Sequence, residues 1–143
     1  MNLKHQSKKL EVLFEKEVKQ ELPVALLPDG SMIFKDFKIK QNKKKTWDIT
    51  RVNGFQIDTF NLKACALMAA KLYSINRLVT YNEVKLLDQQ YQNNTNDSEI
   101  FKHRYTTTAD SSKKDLFLWR WEITKNRAKY AKQQITSKFR SMF

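Results

Sequence analysis

Only two glycines and two prolines interrupt this chain, and the stretch from Ser111 to Phe143 holds neither. These two residue types are the strongest punctuation a backbone has. A chain so poor in them is expected to build long helices and few tight turns. The glycine-free stretch is also the most charged. Lys113, Lys114, Arg120, Lys125, Arg127, Lys129, Lys132, Lys138 and Arg140 face only Asp115 and Glu122, a net +7 of the chain's +12. Phe117, Trp119, Trp121, Tyr130, Phe139 and Phe143 lie among them. A helix from Lys113 to Met142 would be about 45 Å long at 1.5 Å per residue. That exceeds what a 17.0 kDa globule covers, so the helix is expected to bend, break or project.

The rest of the composition bounds the answer. At 143 residues the chain has the size of one domain. An apolar content of 41% supports a core that needs no covalent staples. The longest apolar run, Ala64 to Ala70, falls far short of the roughly 20 residues a membrane-spanning helix needs. The polar start, with Asn2, Lys4, His5 and Gln6, has no secretory pattern. A lone cysteine, Cys65, forms no internal disulfide and fits a reducing compartment. Asn93 and Asn96 each open a glycosylation sequon, read here as a polar loop.

The elements follow from periodicity. Leu10, Leu13, Phe14, Val18 and Leu22 predict a helix over residues 4–21, stopped by Pro23. Pro28-Asp29-Gly30 predicts a turn. Residues 32–60 predict a three-stranded antiparallel meander. Ile33, Phe37 and Ile39 share one parity, Trp47, Ile49 and Arg51 another set, and Asn53-Gly54 marks a hairpin before Phe55, Ile57 and Thr59. Asn61 is the expected cap of a helix to Ser74, slim with alanine and able to cover the sheet. Thr80-Tyr81-Asn82-Glu83 has capping-box form and opens a helix to about Gln92. Asn93 to Glu99 reads as a loop, Ile100 to Tyr105 as a helical turn or two, and Thr106 to Ser112 as a second break. Ser112 with Asp115 is the expected cap of the final helix. The whole is one α+β domain, residues 1–110 forming the body and 111–143 a basic C-terminal helix.

Enzymatic chemistry finds few supports. A catalytic triad needs a base beside a nucleophile. His5 lies in a lysine-rich terminus, and His103 sits between Lys102 and Arg104. Cys65 falls on an apolar helical stripe and reads as core. No cysteine pair, histidine pair or acidic calcium loop is present, so neither a metal nor another cofactor is expected. Gly30 and Gly54 are isolated, so no glycine-rich phosphate cradle exists. Asp36, Asp48 and Asp58 are expected to pair with cations across strands rather than to form a catalytic carboxylate pair.

The remaining constellation is basic and aromatic. Lys43, Lys44 and Lys45 precede Trp47. Lys125, Lys129 and Lys132 share one face of a helix. Such cations take up phosphates, and exposed rings stack bases. Trp119, Tyr130 and Phe139 at helical spacing suit a core or a partner interface instead. Lysine outnumbers arginine, which disfavours base-edge reading.

The segments Leu27-Pro28-Asp29-Gly30-Ser31, Lys35 to Lys40, Phe60 to Tyr73 and Leu87 to Tyr91 resemble those of short uncharacterised proteins of marine tailed phages. The likeness spans residues 22–92, with an echo at Phe139 to Phe143. It carries no mechanistic motif and supplies no fold, activity or site. It implies a phage gene product, located in the host bacterial cytoplasm or in the virion.

The expected function is therefore a non-enzymatic binding protein that engages nucleic-acid backbone without sequence specificity, or an acidic protein surface, through Lys43, Lys44, Lys45, Lys125, Lys129 and Lys132. The alternative is a virion structural or assembly protein whose C-terminal helix docks on a second copy or a particle protein through Trp119, Tyr130 and Phe139.

Overall fold

A computed structural model describes residues 24–142. The helix expected over 4–21 lies outside them. The fold is α+β, a five-stranded antiparallel sheet followed by three helices. Strands β1 (Ala25–Leu26), β2 (Met32–Phe34), β3 (Phe37–Gln41), β4 (Trp47–Arg51) and β5 (Gln56–Phe60) lie side by side in chain order. Helix α1 (Lys63–Ser74) follows, then two long helices, α2 (Leu78–Thr107) and α3 (Ser111–Met142).

The expected three strands are five. Lys35 and Asp36 form a tight turn, with Lys35 at φ 54°, so one expected strand is two. The turn sets Phe34 opposite Phe37 and Met32 opposite Ile39. Met32 and Phe34, rather than Ile33, therefore face the core with Phe37 and Ile39. A two-residue strand, β1, adds an edge by pairing Ala25 with Ile33.

Three of the turns share one geometry. Leu27 to Ser31, Asn42 to Thr46 and Arg51 to Phe55 each place three residues between a hydrogen-bonded pair. In each, the third loop residue donates its N–H to the first carbonyl: Gly30 to Leu27 at 3.0 Å, Lys45 to Asn42 at 3.1 Å, Gly54 to Arg51 at 2.8 Å. That third position needs a left-handed backbone. Gly30 has φ 86° and Gly54 φ 89°; the middle loop puts Lys45 there, at φ 68°.

One sheet face is apolar and packs on α1. Met32, Phe34, Phe37, Ile39, Ile49 and Phe60 are buried against the helix. Sequence periodicity predicts a single apolar stripe on α1, yet Ala64 through Ala70 are all buried. The helix lies between the sheet and α2, so it is covered on both sides. Its small alanines permit that close approach.

Helix α3 neither breaks nor stands alone. It packs antiparallel along α2 over most of its length. Lys138 pairs with Glu83 near one end, and the Trp121 and Tyr105 rings lie 5.9 Å apart near the other. With 30 and 32 residues, the two helices are about 45 and 48 Å long and match. Thr124, Ala128, Ala131, Ile135 and Phe139 form the buried row of α3; Tyr81, Val84, Asp88, Tyr91 and Ser98 are buried on α2. Steps of three and four, with one of seven from Tyr91 to Ser98, keep each row on one helical face.

This packing overturns two sequence expectations. Residues 93–99 are helix rather than loop, and the break shrinks to residues 108–110. Asparagine, serine and threonine are weak helix formers, but tertiary packing of a long seam outweighs propensity. The cap of α3 is Asp110, not Ser112: its carboxylate accepts the Ser112 N–H at 3.0 Å. Hydrogen bonds from Ser112 and Lys113 hold that carboxyl below its ordinary value.

Candidate nucleic-acid interface

Lys43, Lys44 and Lys45 are all exposed at the tip of the β3–β4 hairpin. The loop is shaped by Asn42. Its side-chain oxygen Oδ1 accepts the Lys44 N–H at 2.9 Å and the Thr46 N–H at 3.2 Å. Its amide nitrogen donates to Thr46 Oγ1 and, at 3.0 Å, to Asp48. Asp48 also accepts from Thr59 and Gln56, so this nearby carboxylate is already engaged. None of the three lysines forms an ion pair among the described residues. A shallow cleft of about 440 Å³ opens beside Lys43 and Lys44, lined also by Asn42, Thr46, Asp48, Gln56 and Thr59. Polar groups here surround a loop whose free charges point to solvent.

Lys125, Lys129 and Lys132 run along the flank of α3, beside its buried row. Lys129 is exposed, while Lys125 and Lys132 are partly buried. The Lys132 ammonium lies 5.2 Å from the centre of the Tyr91 ring. The two lysine groups thus belong to different parts of the fold, a sheet hairpin and a helix flank.

A third basic group was not singled out by the sequence. Toward the free end of the α2–α3 hairpin, cations lie over rings instead of carboxylates. Arg104 is 5.7 Å from the Phe101 ring and 5.9 Å from Phe117; Arg120 is 5.6 Å from Phe101. Lys114 is 5.0 Å from Tyr105, and Lys102 is 5.9 Å from Trp121. Such contacts hold a cation in place without neutralising it. Residues 93–110 netted slightly negative along the chain, which hid them. Only the antiparallel pairing of α2 with α3 brings Phe101, Arg104 and Tyr105 beside Lys114, Phe117 and Arg120.

The three expected partner-interface residues divide. Trp119 and Tyr130 are 58% and 62% exposed on the outer side of α3. Phe139 is 4% exposed and belongs to the chain's own core. It is therefore not on an exposed docking face, because α3 turns it toward the body.

The titratable groups near the sheet serve the fold. Asp58 accepts the Tyr81 hydroxyl at 2.6 Å and pairs with Lys85 at 3.0 Å. Burial alone would raise its pKa; the Tyr81 and Lys85 hydrogen bonds outweigh it, and the carboxyl lies below its ordinary value. Burial and the same carboxylate push the Tyr81 phenol up, so it stays protonated. Asp36, in the turn between β2 and β3, pairs with Arg51 of β4 at 3.5 Å. Cys65 is fully buried, and His103 is exposed. Among the described residues no cluster of three or more His, Cys, Asp or Glu could hold a metal ion, and no helix is long and apolar enough to cross a membrane.

Comparison with known proteins finds no matching family model, no matching curated protein and no matching solved structure.

Proposed function

We propose that this is a non-enzymatic protein that engages nucleic-acid backbone without sequence specificity. The observation that carries this reading is Lys45. Two matched turns use glycine at the left-handed position, and the third keeps a lysine beside two more. A left-handed conformation costs a residue with a β-carbon about 1–2 kcal/mol. A strained residue at an exposed tip is a reason to suspect function. Here the strain keeps a third ammonium group next to Lys43 and Lys44. Lys125 and Lys129, with the ring-held Lys102, Arg104, Lys114, Arg120 and Lys132, add further cations on α2 and α3. A polyanion with regularly spaced phosphates matches such a dispersed set of cations better than one compact anion does. The resemblance to phage proteins is consistent with a DNA- or RNA-associated role in an infected cell.

The test is a fluorescence-anisotropy titration with labelled oligonucleotides at low and moderate salt. Binding that weakens steeply with salt is expected, because phosphate contacts release counterions. No binding at low salt, or binding indifferent to salt, overturns the reading.

A virion structural or assembly role is the second reading. It is favoured by the exposure of Leu116, Trp119 and Tyr130 on the outer side of α3. Light scattering coupled to size exclusion decides it: assembly is expected to shrink on Trp119→Ala. A strict monomer that co-purifies with no particle protein overturns it.

A further inference from the structure

A shallow groove opens on one side of the α2–α3 hairpin and reaches round to the outer side of α3. It measures about 520 Å³ and is lined by Gln90 and Asn94 from α2 and by Ile123, Asn126, Arg127 and Tyr130 from α3. It is shallow and open to solvent, with Gln90, Asn126, Arg127 and Tyr130 all exposed, and the lining is chemically specific. Three of the six residues are carboxamides, which carry donors and acceptors side by side. Asn94 spends one amide hydrogen on the Gln90 carbonyl at 2.7 Å, which anchors it and leaves its oxygen available. Ile123 adds an apolar surface. Tyr130 is 62% exposed, so one ring face is open to a flat partner. Arg127 is the only charged group of the lining, and it is positive.

We infer that this groove takes an unstacked base of a single-stranded nucleic acid. The inference rests on the backbone-binding reading and narrows it to single strands. A base has an apolar face and an amide-like edge. Tyr130 and Ile123 suit the first, and Gln90, Asn94 and Asn126 suit the second. In a duplex that edge is occupied by the complementary base, whereas a single strand can splay it outward. Arg127 brings a cation to the same lining, which suits the phosphate attached to such a base. A carboxylate-bearing ligand would satisfy Arg127 but leave the amide edges unmatched. A purely apolar helix would strand all three amides without partners, at a desolvation cost. Carboxamides rotate to offer either donor or acceptor, so the groove accepts different bases, in keeping with weak sequence preference.

The test compares three probes of equal length at low salt: an oligothymidylate, an oligouridylate and a DNA duplex. Tighter binding of the single strands is expected. Tyr130→Ala should weaken their binding about 5- to 150-fold, the range that loss of one stacked base gives. Duplex binding should stay unchanged, and Tyr130→Phe should restore single-strand binding. Because Tyr130 is exposed, its removal leaves the core intact, and circular dichroism of each variant checks this. Equal affinity for single strands and duplex, with no effect of Tyr130→Ala, overturns the groove assignment and leaves backbone binding standing. Failure of every probe to bind overturns both. A difference between oligothymidylate and oligouridylate would report the thymine methyl and the 2′-hydroxyl together, and either order keeps the groove assignment.

Discussion

Asp88 of α2 accepts the backbone N–H of Leu62 at 2.9 Å, at the start of α1. The same carboxylate takes the Asn61 N–H at 2.8 Å and the Asn61 side-chain amide at 3.1 Å. It therefore caps another helix from a distance of 26 residues along the chain. Asp88 is wholly buried, and burial pushes its carboxyl above the ordinary value despite those three donors. The contact joins the sheet's exit, α1 and α2 at one point. Replacing Asp88 by Ala strands two backbone N–H groups at the start of α1. We expect a loss of about 2–4 kcal/mol, since each unmet buried donor costs about 1–3 kcal/mol. Urea denaturation measures it; a change under 1 kcal/mol (roughly the net worth of one ordinary hydrogen bond) would show that water replaces the carboxylate.

Acid sensitivity should centre on Asp58. Its carboxyl is held below the ordinary value of 3.8 by Tyr81 and Lys85, which outweigh burial. A lowered pKa contributes stability that is present above 3.8 and lost as pH falls through the folded-state value. Asp88 works the other way, because its raised pKa favours the folded state at low pH. Asp58→Asn should therefore be less stable than wild type near neutrality, with a shallower decline between about pH 5 and about pH 3. Urea midpoints across that range give the comparison, and parallel curves for the two proteins would exclude Asp58 as the source.

Lys45→Gly separates folding from binding. Glycine removes the penalty of the left-handed position and should raise stability by up to about 1 kcal/mol. The same change removes one of three clustered charges and should weaken oligonucleotide binding. Thermal melts and anisotropy read the two effects. A variant that gains stability without losing affinity would take Lys45 out of the interface.

The triple variant with Lys43, Lys44 and Lys45 each changed to Gln tests the phosphate contacts together. If all three meet phosphates, the slope of log affinity against log salt should flatten by about 2–3, at about 0.7–0.9 per contact. Stability should hardly change, since all three side chains are exposed. An unaltered slope would move the interface to α2 and α3.

The two faces of α3 should respond oppositely to truncation. Ile135 is fully buried, and Ile135→Ala should cost about 2–5 kcal/mol. Trp119, 58% exposed, should cost within about 0.5 kcal/mol on change to Ala. Denaturant titration of both variants checks the orientation of the helix.

Local chemistry was the most legible part of the sequence. Asn53-Gly54 and Pro28-Asp29-Gly30 announced their turns because glycine alone meets a left-handed backbone without strain. The Lys43–Lys45 loop was legible as cationic, but its backbone geometry was not, because a lysine occupies the position where glycine signals it. Lys35 hid a second turn for the same reason and merged β2 with β3. The cap of α1 was misassigned to Asn61 because its true partner, Asp88, arrives from another helix. The run from Asn93 to Glu99 read as loop because polar residues dominate it, and only the matching seam of α3 makes it helical. The ring-held cations and the groove of Tyr130 share that origin. Each arises where two helices meet antiparallel, a juxtaposition that no window along one segment contains.

The left-handed lysine places this hairpin tip between two opposed selective pressures. A lineage drifting under demand for thermal robustness would reach glycine there by a few nucleotide changes and become sturdier for it. A lineage held to its ligand would keep the awkward ammonium. Which residue survives at that single site in divergent copies is thus a readout of what the molecule has been kept for.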